Sequence, residues 1–417
     1  MLNSAAILIT LAAFFSFLNV RYLRLPRPIG VMVIALLLSL GIVGLGAFGF
    51  NGIERYAEFW LSRIDFYDVL MKGMLSLLLF AGALHVNLDE LSSRRYAITL
   101  LATVSTVISA SLIGIAAWAV LNGVGIPISL LYSLIFGALI APTDPVAVLG
   151  ILKSAHAPTS LKIIVTGESL FNDGIAVVMF GTLLNIAAGG HDMTATDALL
   201  WFARETAGGI VFGVLIGLLA YRMIRSIDDS QVEVLISLAL VVGGYTLARH
   251  LGVSGPLAMV AAGLLMGKHG RKFAMSNYTQ QYVDKFWEMI DEILNVVLFV
   301  LIGFEVLALT FTHQYLLAAM LLIPVVLLVR LVCVGIPIQW MRRRLRLDCP
   351  HAIKILTWAG VRGGISVALA LSLPAVPERQ IIVAITYTLV IFSILVQGLT
   401  MERVVKAAVR SHKPRQL

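Results

Sequence analysis

The chain has 417 residues, 59% of them hydrophobic and only 13% charged, with a mean hydropathy of +0.94. Its 31 basic and 23 acidic residues cannot cover the surface of a soluble protein of this size, so the composition excludes one and requires a chain embedded in lipid. The net charge of +8 sits in short clusters between apolar runs, without aromatics interleaved to stack on bases, which argues against a nucleic-acid partner and reads as a membrane-topology signal.

A bilayer core about 30 Å thick takes roughly 20 apolar residues of helix, and windows of that size locate about thirteen spans in an all-α polytopic chain. The first, 3–20, has no Lys or Arg before Arg21, so it lacks the basic leader of a cleavable signal and counts as a helix. With spans at 28–48 and 67–87 it makes a first unit, 1–95. Spans at 96–122, 127–151 and 162–188 make a second, 96–190. Spans at 198–224, 231–250, 254–267 (short) and 288–311 make a third, 191–313. Spans at 315–341, 351–374 and 380–401 make a fourth, 314–402, before a basic tail at 403–417. An external N-terminus and an internal C-terminus place 21 basic residues inside, including Arg94, Arg95, Lys162 and Arg342 to Arg344, and only Arg55, Arg63, Arg249 and Arg379 outside. Cys333 lies in an apolar run and Cys349 in a basic loop, so neither a disulfide framework nor a zinc set is indicated and no cofactor is expected.

An ionisable group at mid-bilayer is costly unless it faces protein or water, which makes it a functional candidate. Asp144, Glu168 and Asp173 qualify, with Glu205, Glu305, Asp291 and Glu292 nearer helix ends, and Arg330, Lys354 and Arg362 as buried bases to answer them. The fifth span breaks at Ala141-Pro142-Thr143-Asp144-Pro145, where Pro145 removes a donor and turns Asp144 away from helical geometry. Broken backbone in a membrane needs a protein-lined or watery cavity, so a site is favoured over a simple proline kink. The sixth span carries Gly167-Glu168-Ser169-Leu170-Phe171-Asn172-Asp173-Gly174. At about 100° per residue, Glu168 stacks on Asn172 and Ser169 on Asp173, giving an oxygen-rich face suited to hard cations or protons. Helix-packing hydrogen bonds are the bland alternative, for which Ser169 and Asn172 alone would suffice. The twelfth span loosens at Gly360-Val361-Arg362-Gly363-Gly364-Ile365-Ser366 around a guanidinium. Spans four to six and eleven to thirteen run oppositely, each with its break in the middle helix, which predicts inverted repeats whose discontinuous helices meet near the midplane, as in secondary transporters.

These three strings, in this order across nearly the whole chain, resemble the monovalent cation/proton antiporter-1 family in its bacterial NhaP-like branch. The resemblance implies electroneutral exchange of Na+, or Li+, for H+, by a homodimer in which a six-helix core (96–190 and 314–402) moves against an interface domain (1–95 and 191–313). It implies a central pair of Asn172 and Asp173, with Na+ held by Asp173, Ser169 and the backbone of Thr143. It also implies an ion pair of Glu168 with Arg330, a structural or coupling role for Arg362, and an Asp144 that faces the amide ends of the broken helix. Asp144 is the one other deep acid available to carry a proton. Phe80-Ala81-Gly82-Ala83-Leu84-His85 departs from the family pattern, which often has an acid at the position of Ala81. A K+/H+ antiporter of the same fold is the alternative. A cation channel would share the polar pathway without proton stoichiometry. An intramembrane protease is suggested by Gly252-Val253-Ser254-Gly255, but no buried base accompanies it.

Overall fold

The computed structural model describes residues 2–48, 52, 73–86, 88–155, 157–189, 195–270, 275–309, 312–345 and 351–410. Among them every regular element is a helix. Among the described residues eight helical segments are long and apolar enough to cross a membrane, and three shorter apolar helices accompany them.

In chain order, α1 (Leu2–Leu18) and α2 (Arg27–Ala47) precede α3 (Leu75–Leu84), the described part of the third expected span. After the short α4 (Leu88–Ser93), α5 (Arg95–Leu100) passes through a π turn (Leu101–Ser105) into α6 (Thr106–Gly123) as one continuous span. The fifth span is two half-helices, α7 (Leu130–Ile140) and α8 (Val146–Ser154), and α9 (Thr159–Ala187) follows. Then come α10 (Ala195–Arg225), α11 (Ser230–His250), the short α12 (Gly255–Leu265), α13 (Asn277–Glu305) and α14 (His313–Leu345). The twelfth span is again divided, into α15 (Ala352–Trp358) and α16 (Gly364–Leu371). The last runs through α17 (Pro377–Phe392), a π turn (Ser393–Gly398) and α18 (Leu399–Arg410).

Local chemistry explains several boundaries. Ser129, Asp229, Ser254 and Ser276 each accept backbone N–H groups at the starts of α7, α11, α12 and α13, satisfying donors that a helix leaves open. Ser254, the serine of the protease-like string, is thereby a helix cap. Backbones approach closely where side chains are small: a Cβ on Gly137 would run into the Ala110 carbonyl, and one on Gly213 into Ala258. Those contacts hold α7 against α6 and α12 against α10, the two most extensive helix pairings. Leu215, Leu219, Leu317 and Ile336 stay exposed, forming the apolar outer surface that a bilayer covers.

Four expectations change. The tenth span, expected at 288–311, belongs to a helix that begins at Asn277, so Asp291 and Glu292 stand in its middle and not near its end. The first turns of α13 are amphipathic, burying Val283 and Trp287 while exposing Lys285 and Glu288, and a hydropathy window cannot register such a stretch. Glu205 likewise stands within α10, half-buried, with its carbonyl taken by the Ser254 amide at 3.1 Å. Lys354 is exposed: α15 turns Ile355 and Leu356 inward and Lys354 outward, which removes it from the buried bases. The basic tail begins as helix. α18 buries Met401, Val405 and Ala408 and exposes Glu402, Arg403 and Lys406, while 411–417 lie outside the described residues. Arg55, Arg63, Arg271, Lys272, Arg346 and Cys349 also lie outside them.

Candidate functional site

The interrupted spans cross at their breaks. Pro142 and Pro145 keep residues 141–145 out of helix, and 360–363 are non-helical opposite them. The Asp144 amide donates to the Val361 carbonyl at 2.7 Å. Arg362, 2% exposed, extends its guanidinium to the end of α7, where Nη1 donates to the Ala141 carbonyl and, at 2.9 Å, to that of Pro142. Asp144 lies against Gly363, the N-cap residue just before α16, and a Cβ there would overlap its carboxylate. A cation thus meets the negative carbonyl end of one half-helix and an anion the positive amide end of the other.

The π turn before α18 completes the second break. Ser393 Oγ accepts from the Arg362 amide at 2.8 Å and donates to Gln397 Oε1 at 2.5 Å, and Gln397 Nε2 donates to the Trp358 carbonyl at 3.3 Å. The π turn before α6 serves α14 in the same way. Pro337 leaves the Cys333 carbonyl without its helical donor, and Ser105 Oγ supplies one at 2.9 Å. None of Ser105, Ser393 or Gln397 stands out in the sequence, because a serine or glutamine in an apolar span carries no sign of which backbone group it will meet.

α9 packs against both interrupted spans. Its Glu168, 1% exposed, meets Arg330 of α14, 7% exposed, in a two-pronged pair: Nη1 reaches Oε1, and Nη2 reaches Oε2 at 2.9 Å. Nη2 also lies 3.4 Å from the Leu356 carbonyl. Arg330 therefore joins α9 and α14 to the end of α15, while Arg362 serves the end of α7.

One turn further, Asn172 Nδ2 donates to Thr143 Oγ1 at 3.0 Å, and Thr143 Oγ1 stands 3.1 Å from Ser169 Oγ. Asn172 Oδ1 is buried with no hydrogen-bond partner among the described residues. Asp173, Ser169, Thr143 and Asp144 all line one cavity of about 620 Å³, which extends past Ala81 and His85 to Glu90, Lys162, Glu288 and Glu292. The Ala81 position contributes no acid; its carbonyl is held by His85 Nδ1 at 2.7 Å. Polar groups that the motifs did not single out also enter the cavity, among them Asn295 and Thr166, and Ser366 at the end of the twelfth-span string joins them, its buried hydroxyl without a partner among the described residues.

The site residues expected from the sequence thus fall in two adjoining layers. Thr143, Asp144, Ser169 and Asp173 face the cavity, with Asn172 braced behind Thr143. Glu168, Arg330 and Arg362 are buried around the crossing, outside the cavity lining. Carboxylate, hydroxyl and carbonyl oxygens suit a hard cation or a proton as cargo. Among the described residues there is no cluster of three His, Cys, Asp or Glu that would hold a resident metal.

Comparison with known proteins places this geometry. The transmembrane domain profile described as sodium/hydrogen exchanger matches residues 7–407. The chain is 49% identical over 409 residues to the Na(+)/H(+) antiporter NhaP of Pseudomonas aeruginosa, covering 97% of this chain and 96% of that protein. It is 32% identical over 393 residues to the Na(+)/H(+) antiporter NhaH of Halobacillus dabanensis, covering 93% of each. The sodium proton antiporter MjNhaP1 of Methanocaldococcus jannaschii, in its structure at pH 8, shares the fold with a TM-score of 0.76 over 97% of both chains at 18% identity.

Proposed function

The chain belongs to the sodium/hydrogen exchanger family, and on that premise we propose that it is a secondary transporter exchanging Na+, or Li+, for H+ by alternating access, with both ions competing for Asp173. The observation that supports the site assignment is that Asp173 lines the same cavity at the helix crossing as Thr143 and Ser169, whose hydroxyls stand 3.1 Å apart.

A buried carboxylate is stabilised by whatever neutralises it, and either a proton or a coordinated cation can do so. When the cavity connects Asp173 to water, a cation enters, meets the carboxylate and the oxygens of Ser169 and Thr143, and displaces the proton. Asn172 fixes Thr143 through its amide and adds no titratable charge, so one cation replaces one proton and no net charge moves. Asp144 remains ionised against the amide end of α16 and Arg362 remains charged against the carbonyl end of α7, so the crossing is neutral as a unit whichever ion is aboard.

The cavity lining reaches Glu90 and Lys162, at the end that the basic residues assign to the cytoplasm, and on that orientation we read this conformation as inward-facing. The remaining parts of the reading are an external N-terminus, a plasma-membrane location in a bacterium, and a homodimer in which residues 96–190 and 314–402 move against 1–95 and 191–313. A K+/H+ exchanger would use the same residues, and the relatives named Na(+)/H(+) antiporters favour sodium. Transport by the purified protein in proteoliposomes, with Na+, Li+ and K+ offered in turn against a proton gradient, tests the reading. Cation-dependent proton movement with Na+ supports it; proton movement with K+ alone overturns the sodium assignment.

A further inference from the structure

Where α5 enters the membrane, Arg94, Arg95 and Tyr96 stand beside Trp340 near the end of α14. Together with Thr99, Leu100, Val104 and Met341 they line a groove of about 580 Å³. Trp340 is 78% exposed and Tyr96 69%, although both are large and partly apolar. A Trp and a Tyr exposed at one level mark the boundary between acyl chains and headgroups. Arg95 is oriented at that level: its guanidinium lies 5.0 Å from the centre of the Tyr96 ring, and Nη2 is 3.3 Å from the Tyr96 hydroxyl. Arg94 is half-buried beside it.

On the other side of Trp340 a second groove of about 570 Å³ follows α14 toward mid-membrane, lined by Leu331, Val332, Ile336 and Ile353. The two grooves share the Trp340 side chain as a ridge. Arginines at a cytoplasmic helix end would by themselves be only topology markers. Here they rim a groove whose polar upper wall, with Ser93, Thr99 and Thr103, continues into apolar lanes on either side of an aromatic ridge.

We propose that this surface binds one anionic glycerophospholipid of the inner leaflet, with its phosphodiester against Arg94 and Arg95 and its two acyl chains on either side of Trp340. Charge complementarity selects the headgroup, because arginine offers a fork of N–H donors matched to phosphate oxygens. Basic residues at the anionic leaflet and amphipathic rings at headgroup depth act at the same level here. The groove shares no lining residue with the ion cavity, so the proposal does not depend on which ion is carried.

The test is lipid binding to the purified full chain in detergent, measured by native mass spectrometry and by thermal stabilisation, with phosphatidylglycerol, phosphatidylcholine and inorganic phosphate as probes. Phosphatidylglycerol is expected to bind about tenfold more tightly than phosphatidylcholine, and each guanidinium removed in Arg94→Gln and Arg95→Gln is expected to weaken it about fivefold. Trp340→Ala is expected to weaken both lipids alike. On the unaltered protein the preference is expected to fade in about 1 M salt, which screens headgroup attraction and keeps the test decisive if a variant folds poorly. Equal binding of both lipids, a preference that survives the double Gln substitution or high salt, or stabilisation by inorganic phosphate equal to that by lipid would each overturn the proposal.

Discussion

The backbone amide of Asp144 donates to the carbonyl of Val361 at 2.7 Å, so the two interrupted spans are joined at their breaks, main chain to main chain. Each break leaves groups that a continuous helix would have paired, and here one break supplies the other. The charged side chains then act around that link, Arg362 on the α7 carbonyls and Asp144 beside the start of α16. A site that must change its occupant without unfolding needs this closed accounting, because unpaired backbone in a membrane would favour collapse of the cavity.

Asp173→Asn keeps the shape of the side chain and removes its charge. Proteoliposomes carrying this variant are expected to show no Na+-dependent proton movement, with the protein still monodisperse in detergent. Retained pH-dependent sodium transport would assign the ion to another group.

Competition for one carboxylate has a definite sign. If both ions occupy Asp173 as proposed, protonation excludes the cation and sodium affinity is expected to weaken as pH falls, by up to about tenfold per pH unit where the protonated form dominates. Alkaline conditions leave the carboxylate open and the affinity flat. Calorimetric sodium titrations at several pH values check this, and a dissociation constant independent of pH would contradict it.

Glu168→Gln strands a buried guanidinium, and losing one partner of a buried pair costs about 3–5 kcal/mol. The expected result is a lower folded yield and an earlier thermal transition, at least as large as any change in cation affinity. The double change Glu168→Gln, Arg330→Gln is expected to recover part of the stability, since the 2.9 Å contact and its second prong are lost together. No recovery would mean that the Leu356 carbonyl, which Arg330 also reaches, depends on the guanidinium more than Glu168 does.

Ser105→Ala removes the donor that stands in where Pro337 interrupts α14, leaving the buried Cys333 carbonyl short of a partner at a cost of about 1–3 kcal/mol. Adding Pro337→Ala lets the helix supply its own N–H and is expected to restore thermal stability. If the double variant is no more stable than the single one, the serine has a different role.

Electroneutral exchange rests on Asn172 being uncharged and on Asp144 staying ionised through the cycle. Exchange rates measured with and without an imposed membrane potential are expected to coincide. Marked acceleration by either polarity would show a second carboxylate titrating, with Asp144 the first suspect because it lines the same cavity as Asp173.

The sequence by itself determined the solvent and the materials of the site. Apolar runs of span length, basic clusters on alternate sides, and prolines or glycines beside deep charges are local properties of the chain, and a bilayer permits few ways to arrange them. For that reason the broken fifth and twelfth spans and the Glu-Ser-Asn-Asp face of the sixth were legible without coordinates. The family resemblance pointed Arg330 at Glu168, but the residues taken by themselves left the pairings open, and tertiary structure decided them. Arg330 and Arg362 are both buried bases in apolar spans, and only the packing of α14 and α15 around α9 sends one to Glu168 and the other to the α7 carbonyls. The same holds for Ser105 and Cys333, 228 residues apart, and for the turn of α15 that leaves Lys354 exposed. Such outcomes depend on distances between helices remote in the chain, whereas hydropathy and backbone propensity are written in neighbouring residues.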